Sequence, residues 1–119
     1  MQIELQITVR DMEHSDALDE HIRGKVGKLE RIYPKLMGCR VVAELHDRHK
    51  SQGRHFAVRV GVTAPGREIV VNHQHAEDVY VALREAFDAV KRQLEEFARM
   101  QRGDARRHRV VAVPQGGSA

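Results

Sequence analysis

Residues 46–56 read HDRHKSQGRHF and gather His46, His49 and His55 around Asp47. Imidazole nitrogens and a carboxylate are zinc ligands, and the same groups make acid–base pairs. His73 and His75, at the end of a nearby apolar run, could add ligands. Structural zinc sites, however, take four ligands at recognisable Cys/His spacings, and this spacing fits none of them. The one cysteine, Cys39, lies inside a strand-like run. An acid–base pair of Asp47 with His46 or His49 can be drawn. No serine or cysteine has the setting of a nucleophile, and no glycine-rich phosphate loop is present. The stretch therefore reads as a polar hairpin loop, Asp47–Arg54, turned by Ser51-Gln52-Gly53. His49, Lys50 and Arg54 would be at most accessory contacts, stronger once the histidines are protonated. The reading is a protein that is not an enzyme, with no catalytic residues, metal or cofactor.

The other groups that could do chemistry are cations, and their chemistry is the neutralisation of phosphates. The net charge is +3. Residues 1–98 hold 15 Lys+Arg and 16 Asp+Glu, whereas residues 99–119 hold five arginines and one aspartate, Asp104. The surplus is C-terminal, and a polyanion site on the body requires local sorting of charge. The five aromatic residues, Tyr33, Phe56, Tyr80, Phe87 and Phe97, are too few for a face of stacked bases.

The elements that must position these charges follow from hydrophobic periodicity. Ile3, Leu5, Ile7 and Val9 alternate with polar residues, as in a strand with one buried face. Leu18, Ile22, Val26, Leu29 and Tyr33 recur at helical spacing, with Ser15 or Asp16 as cap and Pro34 as stop. Cys39–Leu45 and Phe56–Val62 alternate again, with His46, His55 and Arg59 on the outer face. Pro65-Gly66 suits the centre of a type II turn before a fourth strand, 69–74. Val79, Leu83, Phe87, Val90, Leu94 and Phe97 mark a helix from about residue 77 to 101. The fold class is α+β in the order β-α-β-β-β-α, a four-stranded sheet with two helices packed on one face. Strands one and two should be parallel neighbours and the rest an antiparallel meander. Residues 103–119 lack useful periodicity and end in Pro, Gly and Ser, which predicts a basic, disordered tail after a domain of residues 1–102.

Helical angle sorts the charges. His21, Lys25 and Lys28 lie on one flank of the first helix, with Arg31 further round, while Asp16, Asp19 and Glu30 lie towards the other. Arg84, Lys91 and Arg102 fall beside the apolar stripe of the second helix, with Arg99 nearby. Two basic flanks on one side of a sheet could border a groove for a phosphate backbone. The plain alternative is solvated faces with i,i+4 pairs such as Arg84–Asp88 and Arg92–Glu96.

SDALDEHIRGKVGKLERIYP, and KVGKLER within it, resembles the first helix of the ribosome hibernation promoting factor family, also called ribosome-associated inhibitors or ribosomal subunit interface proteins. EIVVNHQHAEDVYVALREAFDAVKRQL, with EDVY and KRQL as its most specific pieces, resembles that family's last strand and second helix. The resemblance covers about residues 1–98. It implies a domain similar to double-stranded-RNA-binding domains, bound to the small ribosomal subunit over the tRNA and mRNA channel and keeping ribosomes idle under stress or in stationary phase. Lys25, Lys28 and Arg31 match the family's first-helix pattern, and Arg92 its second. The family's lysines after RQL are replaced here by Glu95, Glu96, Phe97 and Ala98, and basic residues resume at Arg99 and Arg102. The expected RNA-binding set is thus Lys25, Lys28, Arg31, Arg84, Lys91, Arg92, Arg99 and Arg102. The partner is ribosomal RNA of the small subunit, together with ribosomal proteins, for a short-form, monomeric protein. It needs no small-molecule substrate. No apolar run approaches the roughly 20 residues of a membrane span and no leader is evident, so a cytoplasmic protein is expected. Two rival readings stand beside this one: a small protein-interaction domain of the same fold that binds no RNA, and a histidine-based metal-binding protein.

Overall fold

Alternating polarity and helical periodicity become six elements in the computed structural model, which describes residues 3–47, 54–75 and 78–112. They are β1 (Glu4–Arg10), α1 (Asp16–Ile32), β2 (Gly38–Asp47), β3 (Arg54–Ala64), β4 (Arg67–His75) and α2 (Val79–Ala112). The sheet order is β1-β2-β3-β4, with β1 parallel to β2 and the other two pairings antiparallel. A parallel neighbour needs a crossover, and α1 supplies it. The expected α+β architecture is the one observed.

Local chemistry sets the boundaries. Ser15 caps α1, its side chain accepting from the Leu18 amide at 3.1 Å. The helix closes at Tyr33, before Pro34, whose ring disfavours helical backbone in the residue ahead of it. Gly66 holds φ +81°, the left-handed value that the third position of a type II turn requires, and so lets Ala64 pair with Arg67 across the hairpin. At the start of α2, Asp78 accepts from the Tyr80 amide through its side chain at 2.8 Å and from the Ala82 amide through its carbonyl.

The core fills the space between the helices and one sheet face. Leu18, Ile22 and Val26 of α1 and Leu83, Val90 and Leu94 of α2 meet Val41, Val58, Val60 and Val62, all virtually inaccessible. Among the described residues no polar or charged residue is buried. The other sheet face is open and polar.

One boundary departs from expectation. Helix α2 does not stop near residue 101 but runs 34 residues, to Ala112. The segment expected to begin a disordered tail therefore begins as helix. Residues 103–112, GDARRHRVVA, hold alanine and arginine, both good helix formers, and no proline until Pro114. Propensity can extend a helix without an apolar stripe, which is why hydrophobic periodicity missed it. Residues 113–119 and the proposed loop turn at 51–53 lie outside the described residues.

A candidate nucleic-acid interface on the helical face

The described part of the histidine-rich segment is its two strand ends. His46 and His55 are cross-strand partners on the open sheet face, with rings stacked 5.1 Å apart and 9° from parallel. His46 lies 3.6 Å from Glu44. His73 faces the other way and hydrogen-bonds Glu85, tying β4 to α2. Among the described residues no three His, Cys, Asp or Glu side chains are grouped to hold a metal ion; His49 lies outside them. Cys39 is buried in β2, and burial pushes its thiol up to about 12. Such a thiol holds almost no thiolate at neutral pH and is a poor nucleophile.

The open sheet face is a broad concavity of about 1030 Å³. Its charged lining is matched, with Arg10, Arg40 and Arg59 against Glu4, Glu44 and Glu68. Arg40 is already engaged, donating to Gln6 at 3.0 Å across the β1–β2 pairing. A charge-balanced surface of this kind gives a polyanion no net attraction.

The helical face is sorted differently, and contacts at two ends show how. At one end His21 of α1 meets Tyr80 of α2 edge to face, at 5.0 Å and 87°. At the other, Ile32 of α1 shares a small cleft of about 340 Å³ with Glu95, Ala98, Arg99 and Arg102 of α2. The α1 flank running from His21 to Ile32 therefore faces α2, and it carries Lys25 and Lys28. The α2 flank running from Tyr80 to Ala98 faces α1, and it carries Arg84 and Lys91. Arg99 and Arg102 thus line the cleft, and by helical angle Lys25, Lys28, Arg84 and Lys91 lie on the flanks that border the same inter-helix groove, which makes six of the eight expected residues. Arg31 and Arg92 fall on the outer sides of their helices, exposed but away from it.

None of these eight residues makes an ion pair with a described residue. The pairs Arg84–Asp88 and Arg92–Glu96, open to them by spacing, are not formed. On the opposite flank of α1, acid and base neutralise each other: Asp19 takes Arg23 at 2.6 Å and His14 at 3.2 Å. The Arg23 hydrogen bond, chiefly, holds the Asp19 carboxyl below its ordinary range. Acidic residues are not absent from the groove side of α2, where Glu95 lines the cleft between Arg99 and Ile32.

His21 senses the groove. Its Nε2 is buried without a hydrogen-bond partner. Burial, and after it the Lys25 ammonium, pushes its pKa below the ordinary 6.5; Asp78 works in the opposite direction and Lys28 adds to the depression. Spacing alone places His21 with Lys25 and Lys28. Its contact with Tyr80, the one aromatic residue exposed by more than a third among those described, had no signal in either helix alone. It depends on how the two helices cross.

The sequence profile of the Sigma 54 modulation protein / S30EA ribosomal protein family matches residues 5–102. The chain belongs to that family. A curated member, the ribosome hibernation promotion factor of Deinococcus radiodurans, is 31% identical over 92 residues, covering 77% of this chain and 47% of that protein. The chain thus spans about half the length of that curated relative. Two solved structures share the family fold. A ribosomal subunit interface protein from Coxiella burnetii superposes with a TM-score of 0.67 at 17% identity, over 81% of this chain and 98% of that one. The N-terminal domain of Thermus thermophilus Protein Y gives 0.65 at 24% identity, over 82% and 99%. These two likenesses establish the fold. The family match ends at Arg102, so the last ten residues of α2 lie beyond it.

Proposed function

We propose that this chain is a ribosome-binding factor of the hibernation type, which acts by occupancy and carries out no reaction. Its residues 1–102 dock on the small subunit over the tRNA and mRNA channel and keep the ribosome idle under stress or in stationary phase. The observation that carries this reading is the groove between α1 and α2, bordered by Lys25 and Lys28 on one side and Arg84 and Lys91 on the other. Those cations lack described ion-pair partners, in a chain whose family includes a ribosome hibernation promotion factor. Phosphates laid along the groove would release condensed counterions, and the affinity would fall steeply with salt.

The test is co-sedimentation with purified small subunits across a salt series. The wild type is expected to bind at moderate salt and dissociate as salt rises. Lys25→Glu with Lys28→Glu should weaken binding by about a hundredfold, since two phosphate contacts become two repulsions. Absence of wild-type binding at moderate salt would sink the ribosomal reading and leave a protein-interaction domain of the same fold.

A further inference from the structure

Helix α2 outruns the family match. Its last buried residue among those described is Leu94, with Phe97 and Ala98 half-buried; the helix then continues to Ala112, about 20 Å further along its axis. The charge of this part is one-sided. Arg99, Arg102, Arg106 and Arg109 follow one another at spacings of three and four residues. At 3.6 residues per turn this register confines them to an arc of roughly 80°. Arg84 and Lys91 fall in the same arc, and so do Asp88 and Glu95, so the arc is free of acids only beyond residue 98. Arg107 falls outside it, and Asp104, the one acid beyond residue 98, falls on the far side of the helix.

We infer that the C-terminal third of α2 is a second RNA-contacting segment, a rail of arginines that carries the groove's basic flank past the domain along a phosphate backbone. The inference rests on the ribosomal reading above and extends it to residues outside the family match. Arginine presents a planar fork of donors suited to phosphate oxygens, and four of them on one helical face follow a backbone without reading sequence. The rail also restores what α2 lacks in its middle, where Glu95 and Glu96 interrupt the cations. It explains why a chain whose residues 1–98 are acidic by one charge gathers its positive surplus after residue 98.

The experiment uses the full chain and purified small subunits, with binding constants measured across a salt series. The double variant Arg106→Gln/Arg109→Gln removes two rail positions while keeping good helix formers. The expected result is a drop of about 1.5 in the slope of log K against log salt, and about tenfold weaker binding near 0.15 M salt. Arg107→Gln, one residue off the rail, should change affinity by less than about twofold. Circular dichroism of each variant should retain the wild-type helix signal. If the double variant binds as the wild type does, the rail is overturned while the groove reading stands. If Arg107→Gln loses as much per charge as the double variant, the effect is bulk charge and the rail is again overturned. If the wild type itself fails to bind, the groove reading and the rail fall together.

Discussion

At the residue scale, His21 is the group whose environment says most. It is pressed between burial and two lysines, with only Asp78 favouring its charged form. A histidine whose folded pKa lies below its unfolded value is most favourable to folding when neutral. Its contribution is full above the unfolded value of 6.5 and is lost as pH falls through 6.5 towards the folded pKa. Two-dimensional NMR should therefore show His21 titrating below 6.5, and Lys25→Gln should move its midpoint upward by removing the cation that depresses it most. Urea unfolding should show the wild type losing more stability between pH 7.5 and 5.5 than His21→Gln, which carries no titrating ring. A midpoint at or above 6.5 would show that burial and the lysines together do not disfavour the charged ring. Of the histidines of the 46–55 segment, the two that are described, His46 and His55, pair across the ends of β2 and β3 and stack on the sheet face opposite the groove.

At the element scale, α1 is the crossover that makes β1 and β2 parallel, and it holds half of the groove. Its N-terminus rests on a single cap. Ser15→Ala should cost about 1 kcal/mol in chemical denaturation, because the Leu18 amide loses its acceptor. Its outer surface contains an opposite opportunity. A Cβ built at Gly24 or Gly27 meets nothing within 4 Å. Gly24→Ala and Gly27→Ala should each stabilise by about 0.5–1 kcal/mol, since alanine restricts the unfolded chain and costs the helix nothing. If either substitution leaves stability untouched but weakens subunit binding, that glycine admits a close approach by the partner. Helix α2 is the element most under-read in sequence. Among the described residues its buried stripe stops near Phe97, where the periodicity ends, whereas the helix continues to Ala112.

At the scale of the whole molecule, one core joins both helices to the sheet, and the groove exists only while that core holds them side by side. Leu83 sits at 0% exposure in its centre. Leu83→Ala should cost about 2–5 kcal/mol, read as a lower urea midpoint. On the proposed reading, ribosome binding should then survive where the variant remains folded and vanish with the unfolding transition, because that reading needs both basic flanks side by side. Binding that persists past the transition would mean that the cations act as an unstructured polycation.

The sequence by itself determined the six elements, the strand pairing and the family. Each of these rests on spacing along the chain: two-residue alternation in strands, three-and-four spacing in helices, Ser15 and Pro34 at the ends of α1, Pro65-Gly66 in the turn. The sequence also selected the cations. Tertiary structure decided which of them share a surface. Lys25 and Lys28 meet Arg84 and Lys91 across a groove, while Arg31 and Arg92, equal to them in chemistry, are turned outward. That outcome depends on how α1 and α2 cross, with His21 against Tyr80 at one end and Ile32 and Ala98 lining a shared cleft at the other. Pairing between elements distant in the chain has no local period to read, so only the packed molecule could show which charges share a surface.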